Sequence, residues 1–212
     1  MANLMTLSRL VLLLLVAWIA YLPHSLWQYA NFVLIIIIFA TDGLDGYIAR
    51  KRHEESLFGA LFDIASDRIV ELTLWIVFAD LGLIPIWVPL VFVIRGTVVD
   101  TIRSSQSESA GEHPFAMMQG ALGKWLVAGK FMRIFYAVIK AAAFCCLALV
   151  LPSATVLPDI WAIIGPYFKG LTYFFVYLSV FLCLARGLPV VAEFIDSQKL
   201  AFTARNKGST KE

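Results

Sequence analysis

Apolar residues occur in long runs along this chain rather than in alternation with polar ones. The runs are Leu10–Tyr21, Phe32–Ala40, Leu72–Phe78, Ile84–Ile94, Tyr136–Leu151 and Ile160–Leu184. Extended to the next charge or turn, most of them reach the roughly 20 residues that a helix needs to cross a bilayer. They predict six transmembrane helices, at about residues 8–25, 29–50, 57–82, 84–104, 122–151 and 159–187.

The amino-acid composition also indicates a membrane protein. Apolar residues make up 60% of the 212 residues, charged residues make up 15%, and the mean hydropathy is +0.82. Soluble domains carry roughly half apolar and about a quarter charged residues. We therefore predict an all-α integral membrane protein, with one transmembrane domain at residues 1–196 and a polar, basic tail at residues 197–212.

The first apolar run resembles a secretory signal peptide, because the single basic residue Arg9 precedes it. No small-residue cleavage site follows the run, and further apolar segments do. A retained first helix is the interpretation that we prefer.

The distribution of basic residues predicts an orientation. With an N-terminus in the cytosol, one set of helix ends carries Arg9, Arg50, Lys51, Arg52, Arg103, Lys124, Arg186 and the basic residues of the tail. The opposite connections carry Asp80 and Asp159 and no Lys or Arg. The positive-inside rule therefore places both termini in the cytosol. The net charge of +2 gives no reason to expect a nucleic-acid partner.

Connections between the runs are short, with one exception. Arg50–Ser56 and Pro152–Pro158 read as tight connections, whereas Ser104–Gly123 is the longest polar stretch and is expected to be a cytosolic loop or lid. Three cysteines, Cys145, Cys146 and Cys183, lie inside apolar segments without paired spacing, which favours packing over a disulfide or zinc site.

Two pairs of aspartates stand at the cytosolic ends of the second and third predicted helices. Asp42 and Asp45 are three residues apart, and Asp63 and Asp67 are four apart. On a helix each spacing places both side chains on one face, with Cβ atoms about 5–6 Å apart. If the pairs converge, four carboxylates repel one another strongly unless cations neutralise them. Oxygen ligands suit Mg²⁺ or Mn²⁺, and two ions would relieve the repulsion more completely than one.

Small residues flank these aspartates. Gly46 follows Asp42 by one helical turn, and Gly59 precedes Asp63 by one turn. Glycine weakens a helix, so both positions indicate close approach of a flat ligand or of another backbone. Ala49 keeps the same surface low, Ser66 adds a small polar group, and Arg50 could steady the carboxylates or contact a phosphate.

A simpler interpretation treats Asp42-Gly43 and Asp45-Gly46 as turns and Asp63 and Asp67 as solvated helix residues. Position argues against it for the second pair. Asp63 and Asp67 lie within the largely apolar stretch Leu57–Val77, where bare charges are costly and are usually functional.

The pattern Asp42-x2-Asp45-Gly46-x2-Ala49-Arg50-x8-Gly59-x3-Asp63-x3-Asp67 resembles the signature of the CDP-alcohol phosphotransferase family at all eight fixed positions. The resemblance implies six transmembrane helices with cytosolic termini, and it favours a homodimer. It also implies an enzyme that displaces CMP from a CDP-linked donor, usually CDP-diacylglycerol, by attack of an alcohol hydroxyl. The active site would face the cytosol.

The same resemblance implies residue roles. Two divalent ions, Mg²⁺ or Mn²⁺, would be held by Asp42, Asp45, Asp63 and Asp67, and Asp67 would also serve as the general base. The donor's cytidine pocket would be formed by Gly46, Ala49 and Gly59, with Arg50 and Ser66 nearby. Paired metals suit this chemistry because they stabilise both the attacking and the leaving oxygen at phosphorus.

Basic residues in the fourth and fifth predicted helices suggest the acceptor. Arg95, Arg103 and Lys124 would suit a phosphorylated alcohol such as glycerol 3-phosphate or inositol phosphate. The alternative is that they snorkel to the membrane surface. The opening segment Asn3–Arg9 is similar to the amphipathic start of family members that use glycerol phosphate, whereas Asp67-Arg68 is closer to the inositol-phosphate type. The acceptor stays open at this point.

Two other functions compete with this interpretation. A membrane prenyltransferase also uses carboxylates and Mg²⁺ on diphosphates, but it usually carries two separated aspartate-rich motifs and more helices. A divalent-cation transporter would place carboxylates near the middle of the membrane, whereas these lie at helix ends.

Overall fold

The computed structural model describes residues 2–23, 26–52, 57–110 and 129–209. Within these ranges all regular structure is helical, which confirms the predicted all-α class. The helices are α1 (Ala2–Ala20), a short 3₁₀ helix (Leu26–Tyr29), α2 (Ala30–Arg52), α3 (Leu57–Asp80), α4 (Trp87–Ala110), α5 (Lys130–Val156) and α6 (Pro158–Ser209).

Two helices of the described residues are long and apolar enough to cross a membrane, at Phe131–Val156 and Pro158–Asp196. Shorter apolar segments lie at Thr6–Ala20 and Leu26–Thr41. Large apolar side chains on α6 point outward, with Ile163 74% exposed. Such a surface is unfavourable in water and is expected against lipid tails. The number of spans and the orientation stay predictions.

Helix α4 is longer than the sequence indicated. Ser104–Ala110, which we assigned to a loop, continues the helix, so that prediction is wrong for these residues. The segment contains neither glycine nor proline, and extending an existing helix costs far less than starting one. Residues 111–123 of the predicted loop lie outside the described residues.

Helix α5 also passes its predicted end. Pro152 lies inside the helix, which continues to Val156, so Pro152–Pro158 is not a loop and Leu157 alone separates α5 from α6. The hydroxyl of Thr155 donates to the carbonyls of Leu151 and Pro152, at 3.1 and 3.2 Å. Such bonds to the carbonyls three and four residues earlier are the usual way in which a threonine hydroxyl is satisfied inside a helix. Pro158 opens α6, where its missing N–H costs nothing.

Helix α6 has 52 residues and includes residues 197–209 of the predicted tail. The chain forms two compact units, one at Met1–Leu90 and Val138–Ser179, the other at Val91–Ala137 and Val180–Glu212. The division into a domain at residues 1–196 and a tail at residues 197–212 stays a prediction.

In the first unit, α1 and α3 pack side by side and run in the same direction. Arg9 contacts Asp63 and Asp67 near one end of the pair, and the hydroxyl of Tyr21 donates to Asp80 at the other, at 2.6 Å. The buried side of α1 consists of residues three and four positions apart, the spacing of a helix seam: Thr6, Arg9, Leu13, Val16, Ile19 and Ala20.

Helix α2 starts beside the end of α1 and returns along α1. The amide of Gln28 donates to the carbonyls of Ala20 and Leu22, at 3.3 and 3.1 Å, and so fixes the start of α2. This start lies at the Tyr21 end of the α1–α3 pair. Helix α2 therefore runs toward the end of α3 that carries the aspartates.

Aromatic rings join α2, α3 and α5 in the middle of the first unit. The ring of Phe144 lies 4.4 Å from Trp75, 5.9 Å from Phe39 and 6.2 Å from Phe78, measured between ring centroids. Trp75 and Phe144 are fully buried. Rings in such offset and tilted arrangements contribute roughly 0.5–1.5 kcal/mol per pair beyond the area that they bury.

In the second unit, α4 packs on the last part of α6. Val99 and Ile102 contact Val190, with Val191 and Phe194 at the edge of the cluster.

Candidate active site

Arg9 joins the two aspartates of α3. Its Nη2 lies 2.6 Å from Asp63 Oδ1, and its Nη1 lies 3.0 Å from Asp67 Oδ1. One guanidinium therefore bridges two carboxylates that stand one helical turn apart on the same face of α3. The sequence predicted the shared face of Asp63 and Asp67 but not the arginine across from it.

The three side chains of this cluster differ in exposure. The side chain of Arg9 is 2% exposed, whereas those of Asp63 and Asp67 are 45% and 49% exposed. Arg9 therefore approaches from the inside of the bundle, and the carboxylates keep a surface that a ligand can reach. This difference in exposure suits a binding site better than a salt bridge that only holds two helices together.

The other two aspartates, Asp42 and Asp45, belong to the last part of α2, whose helical backbone continues to Arg52. Phe39 stacks on the aromatic cluster that also holds Trp75. From Phe39 to Asp45 the helix rises about 9 Å, and from Trp75 back to Asp67 it rises about 12 Å.

Because α2 and α3 run in opposite directions, both pairs stand on the same side of the aromatic cluster at similar heights. The side chains of Asp42 and Asp45 lie outside the described residues, so the convergence of the two pairs stays a prediction.

A further carboxylate on this face of α3 was missed by the sequence reasoning. Glu71 follows Asp67 by one turn, and its carboxylate lies 2.9 Å from Lys140 Nζ and 3.4 Å from Arg68 Nη1. The side chains of Glu71 and Lys140 are 9% and 14% exposed. Its signal in the sequence was the spacing of four residues from Asp67 within an apolar stretch, together with a lone lysine inside the fifth apolar run.

The residues predicted to bind the donor occupy both helices. Gly59 lies in the first turn of α3, one turn before Asp63. Ser66 is fully buried, and its hydroxyl has no hydrogen-bond partner within the described part of the chain. Gly46, Ala49 and Arg50 have helical backbone in α2, but their side chains lie outside the described residues.

Of the predicted acceptor residues, the structure describes the side chain of Arg95. It lies on α4 in the second unit, and its stem fills the space beside Gly187 of α6. A Cβ added to Gly187 would lie 2.8 Å from Arg95 Cγ. Arg95 borders a groove of about 220 Å³ whose other lining residues are apolar: Val91, Ile94, Val98, Val99, Leu184, Gly187, Leu188 and Val191.

The other two predicted acceptor residues are Arg103 and Lys124. Arg103 has helical backbone in α4, but its side chain lies outside the described residues, as does the whole of Lys124. A cation that the acceptor prediction did not include, Arg186, lies over the ring of Tyr136 with 5.3 Å from Cζ to the ring centroid.

Metal binding can be judged from the donor atoms. Among the described side chains no group of three or more His, Cys, Asp or Glu residues is placed to hold an ion. Asp63 and Asp67 offer carboxylate oxygens, which fit the preference of Mg²⁺ and Mn²⁺. Magnesium commonly uses one or two protein carboxylates plus phosphate and water oxygens, so the described pair fits part of such a site.

A sequence profile of a known family, described as CDP-alcohol phosphatidyltransferase, matches residues 1–192. The chain belongs to the CDP-alcohol phosphatidyltransferase family. The resemblance carried by the aspartate signature is thereby confirmed, and so is the enzyme class at the level of the family. Together with the two helices able to cross a membrane, this membership indicates a membrane protein.

Three curated relatives carry the same printed name, CDP-diacylglycerol–glycerol-3-phosphate 3-phosphatidyltransferase. The protein of Wigglesworthia glossinidia brevipalpis is 29% identical over 106 residues, which cover 49% of this chain and 58% of the relative. That of Pseudomonas fluorescens is 31% identical over 115 residues, 53% of this chain and 58% of the relative. That of Bacillus subtilis is 31% identical over 96 residues, 45% of this chain and 49% of the relative. The chain spans about half the length of these relatives.

Proposed function

We propose that this family member transfers the phosphatidyl group of CDP-diacylglycerol to the hydroxyl of glycerol 3-phosphate and releases CMP. The single observation that carries the proposal is the pair Asp63 and Asp67, held by Arg9 from inside and open on the other side. The names of the relatives favour glycerol 3-phosphate as the acceptor.

Inositol phosphate is the second candidate acceptor, because Arg68 follows Asp67 at a position where family members that use glycerol phosphate usually carry lysine. In this chain Arg68 lies 3.4 Å from Glu71, on its own helix. Arg68 thus has a partner on its own helix, but a lysine could make the same contact, so the panel of alcohols decides between the two acceptors.

In the proposed reaction Asp67 accepts the proton of the acceptor hydroxyl. The hydroxyl oxygen then forms a bond to the phosphorus of the phosphatidyl group, and the bond from that phosphorus to the CMP oxygen breaks. A positioned general base typically contributes about 10²–10⁴-fold to such a step. Asp67 can serve in this role because its half-exposed carboxylate can be reached by the acceptor hydroxyl.

Two divalent cations, Mg²⁺ or Mn²⁺, would be held by Asp42, Asp45, Asp63 and Asp67, and would supply charge neutralisation at the phosphates. Gly46, Ala49, Gly59, Arg50 and Ser66 would surround the cytidine. The donor's acyl chains would stay in the bilayer while its head group reaches the aspartates.

We propose six membrane spans, with both termini and the aspartates on the cytosolic side. The parallel course of α1 and α3 supports this topology, because two helices separated by one return helix must cross in the same direction. A homodimer is the assembly that the family resemblance favours. Accessibility of single cysteines introduced at Pro23 and at Ser209 tests the sidedness of the chain.

Arg95, Arg103 and Lys124 are the proposed phosphate ligands of the acceptor. Arg103→Ala is expected to raise KM for glycerol 3-phosphate by about tenfold, the cost of roughly one charge-assisted hydrogen bond, with little change for CDP-diacylglycerol. An unchanged acceptor KM would show that Arg103 is a snorkelling residue.

The proposed function is tested with purified protein, CDP-diacylglycerol and a panel of alcohols, with CMP release as the readout. CMP release is expected with glycerol 3-phosphate as the acceptor. It should vanish when a chelator removes divalent cations and return when Mg²⁺ or Mn²⁺ is added. Activity that resists the chelator would remove the metal mechanism. A preference for inositol phosphate would overturn the assignment of glycerol 3-phosphate as the acceptor. No CMP release, together with Mn²⁺ flux into vesicles, would favour the transporter.

A further inference from the structure

Arg9 stands in an unusual position for a charged residue. It occupies the buried seam of α1, between Thr6 and Leu13, and is 1% exposed. Taking an arginine out of water costs several kcal/mol unless partners compensate its charge. Its placement therefore needs an explanation beyond the positive-inside pattern of the sequence.

The geometry of the guanidinium supplies one. Nη1 and Nη2 are held in one rigid plane, and each contacts a different carboxylate of α3. Without a cation between them, two carboxylates one turn apart repel each other and favour rotamers that separate them. Because its two nitrogens cannot move independently, Arg9 fixes the spacing of Asp63 and Asp67.

The side from which Arg9 contacts the two carboxylates indicates the role of this fixed spacing. Arg9 lies on the buried side, so it does not cover the exposed faces of the carboxylates. Both of these contacts to Arg9 are made through Oδ1 of the carboxylate. Outer partners of this kind orient metal-binding groups in many sites, and their loss typically costs about 10- to 100-fold in metal affinity or activity.

We propose that Arg9 is a positioning residue that presets Asp63 and Asp67 for divalent cations, by bridging the two carboxylates from the buried side of α3. The inference rests on the proposed function for the identity of the ligand, a divalent cation. Arg9 itself touches neither the cation nor the substrates.

An arginine and a lysine differ in a way that makes this proposal testable. Lysine keeps the positive charge but offers a single nitrogen on a flexible stem, so it cannot bridge both carboxylates in a fixed plane. If spacing is what matters, Arg9→Lys must weaken cation binding. If only charge matters, Arg9→Lys must behave like the wild type.

The experiment measures Mn²⁺ binding directly, by electron paramagnetic resonance on full-length protein in lipid nanodiscs without substrate. Arg9→Lys is expected to raise the Kd for Mn²⁺ by about tenfold, the lower end of the usual loss for an outer partner. The matched control is Arg133→Lys, at an exposed arginine of α5, which is expected to leave the Kd unchanged.

Two results would overturn the proposal. An unchanged Kd in Arg9→Lys would show that Arg9 serves through charge alone or through the fold. Tighter Mn²⁺ binding in Arg9→Lys would show that Arg9 competes with the cation. A structure of the wild-type protein with Mn²⁺ tests the same point without a variant: Arg9 must still bridge both carboxylates, and an arginine displaced from them overturns the proposal.

Failure of the proposed function gives a different pattern. If wild-type protein binds Mn²⁺ but releases no CMP, the transferase proposal falls, while the comparison of Kd values between wild type and Arg9→Lys still decides the role of Arg9. Absence of Mn²⁺ binding in the wild type overturns both.

Discussion

Helix α3 carries two ion-pair clusters that use the same chemistry in opposite ways. In the first, the cation Arg9 is buried and the carboxylates of Asp63 and Asp67 are about half exposed. In the second, the carboxylate of Glu71 is itself enclosed, beside a largely buried Lys140. Exposed carboxylates remain available to a ligand, whereas an enclosed one serves the protein alone. An ion-pair cluster with exposed carboxylates can therefore bind a ligand, whereas a cluster with a buried carboxylate connects two helices.

The Glu71–Lys140 ion pair lies one helical turn from the aromatic contacts between α3 and α5. Glu71 precedes Trp75 by one turn, and Lys140 precedes Phe144 by one turn, so charge and rings repeat along the α3–α5 interface. We infer that this ion pair aligns α5 on α3 and so keeps the backbone beneath Asp67 in place.

The largest effect is expected at the open cluster. Asp67→Asn keeps the size of the side chain but removes the proposed general base, so CMP release should fall by at least about 100-fold. Binding of CDP-diacylglycerol, measured by titration calorimetry, should be largely retained. The control is Asp159→Asn, at an exposed aspartate in the first turn of α6. Near-normal turnover in Asp67→Asn would show that the exposed cluster, like the buried one, has only a structural role.

The enclosed cluster should respond in stability. Glu71→Gln leaves Lys140 facing a neutral partner, and breaking a buried ion pair typically costs about 3–5 kcal/mol. The double variant Glu71→Met, Lys140→Met removes both charges and is expected to recover most of the loss. Thermal unfolding in detergent measures both. A variant with normal unfolding but no CMP release would place Glu71 in the active site instead.

A smaller effect is expected in the second unit, where glycine permits a close approach. Gly187→Ala forces Arg95 aside, because the new Cβ would lie 2.8 Å from its Cγ, and overpacking of this kind costs about 1–3 kcal/mol. If Arg95 binds the acceptor, KM for glycerol 3-phosphate should rise several-fold. Gly170→Ala, on the same helix with open space around it, is the control. Equal effects of the two substitutions on acceptor KM would exclude a role for Arg95.

The smallest effect concerns the far end of the α1–α3 seam. Tyr21→Phe removes the hydrogen bond to Asp80, which is exposed and worth at most about 1 kcal/mol. Unfolding should shift slightly, and Mn²⁺ binding should not change. Weakened Mn²⁺ binding in Tyr21→Phe would mean that the whole seam, rather than Arg9 alone, sets the spacing of the aspartates.

Much of this structure was readable from local pattern. Helical spacing placed Asp63 and Asp67 on one face, and the apolar runs located each α-helix of the described residues, because both depend on residues close in sequence. The ends of α4 and α5 were misjudged because propagation carried the helix beyond polar residues and past Pro152. Arg9 and the Glu71–Lys140 pair were missed for another reason: each joins helices that are far apart in sequence, and their contacts follow from packing.

The separation of these partners along the chain has a consequence for biosynthesis. Asp63, Asp67 and Glu71 are made together, as part of one helix. Arg9 is already present, 58 residues before Asp67, so α1 must stay where α3 can pack against it. Lys140 emerges only after the fourth helix. Until then Glu71 has Arg68 of its own helix as a neighbour, and its contact with Lys140 can form only after α5 has been made.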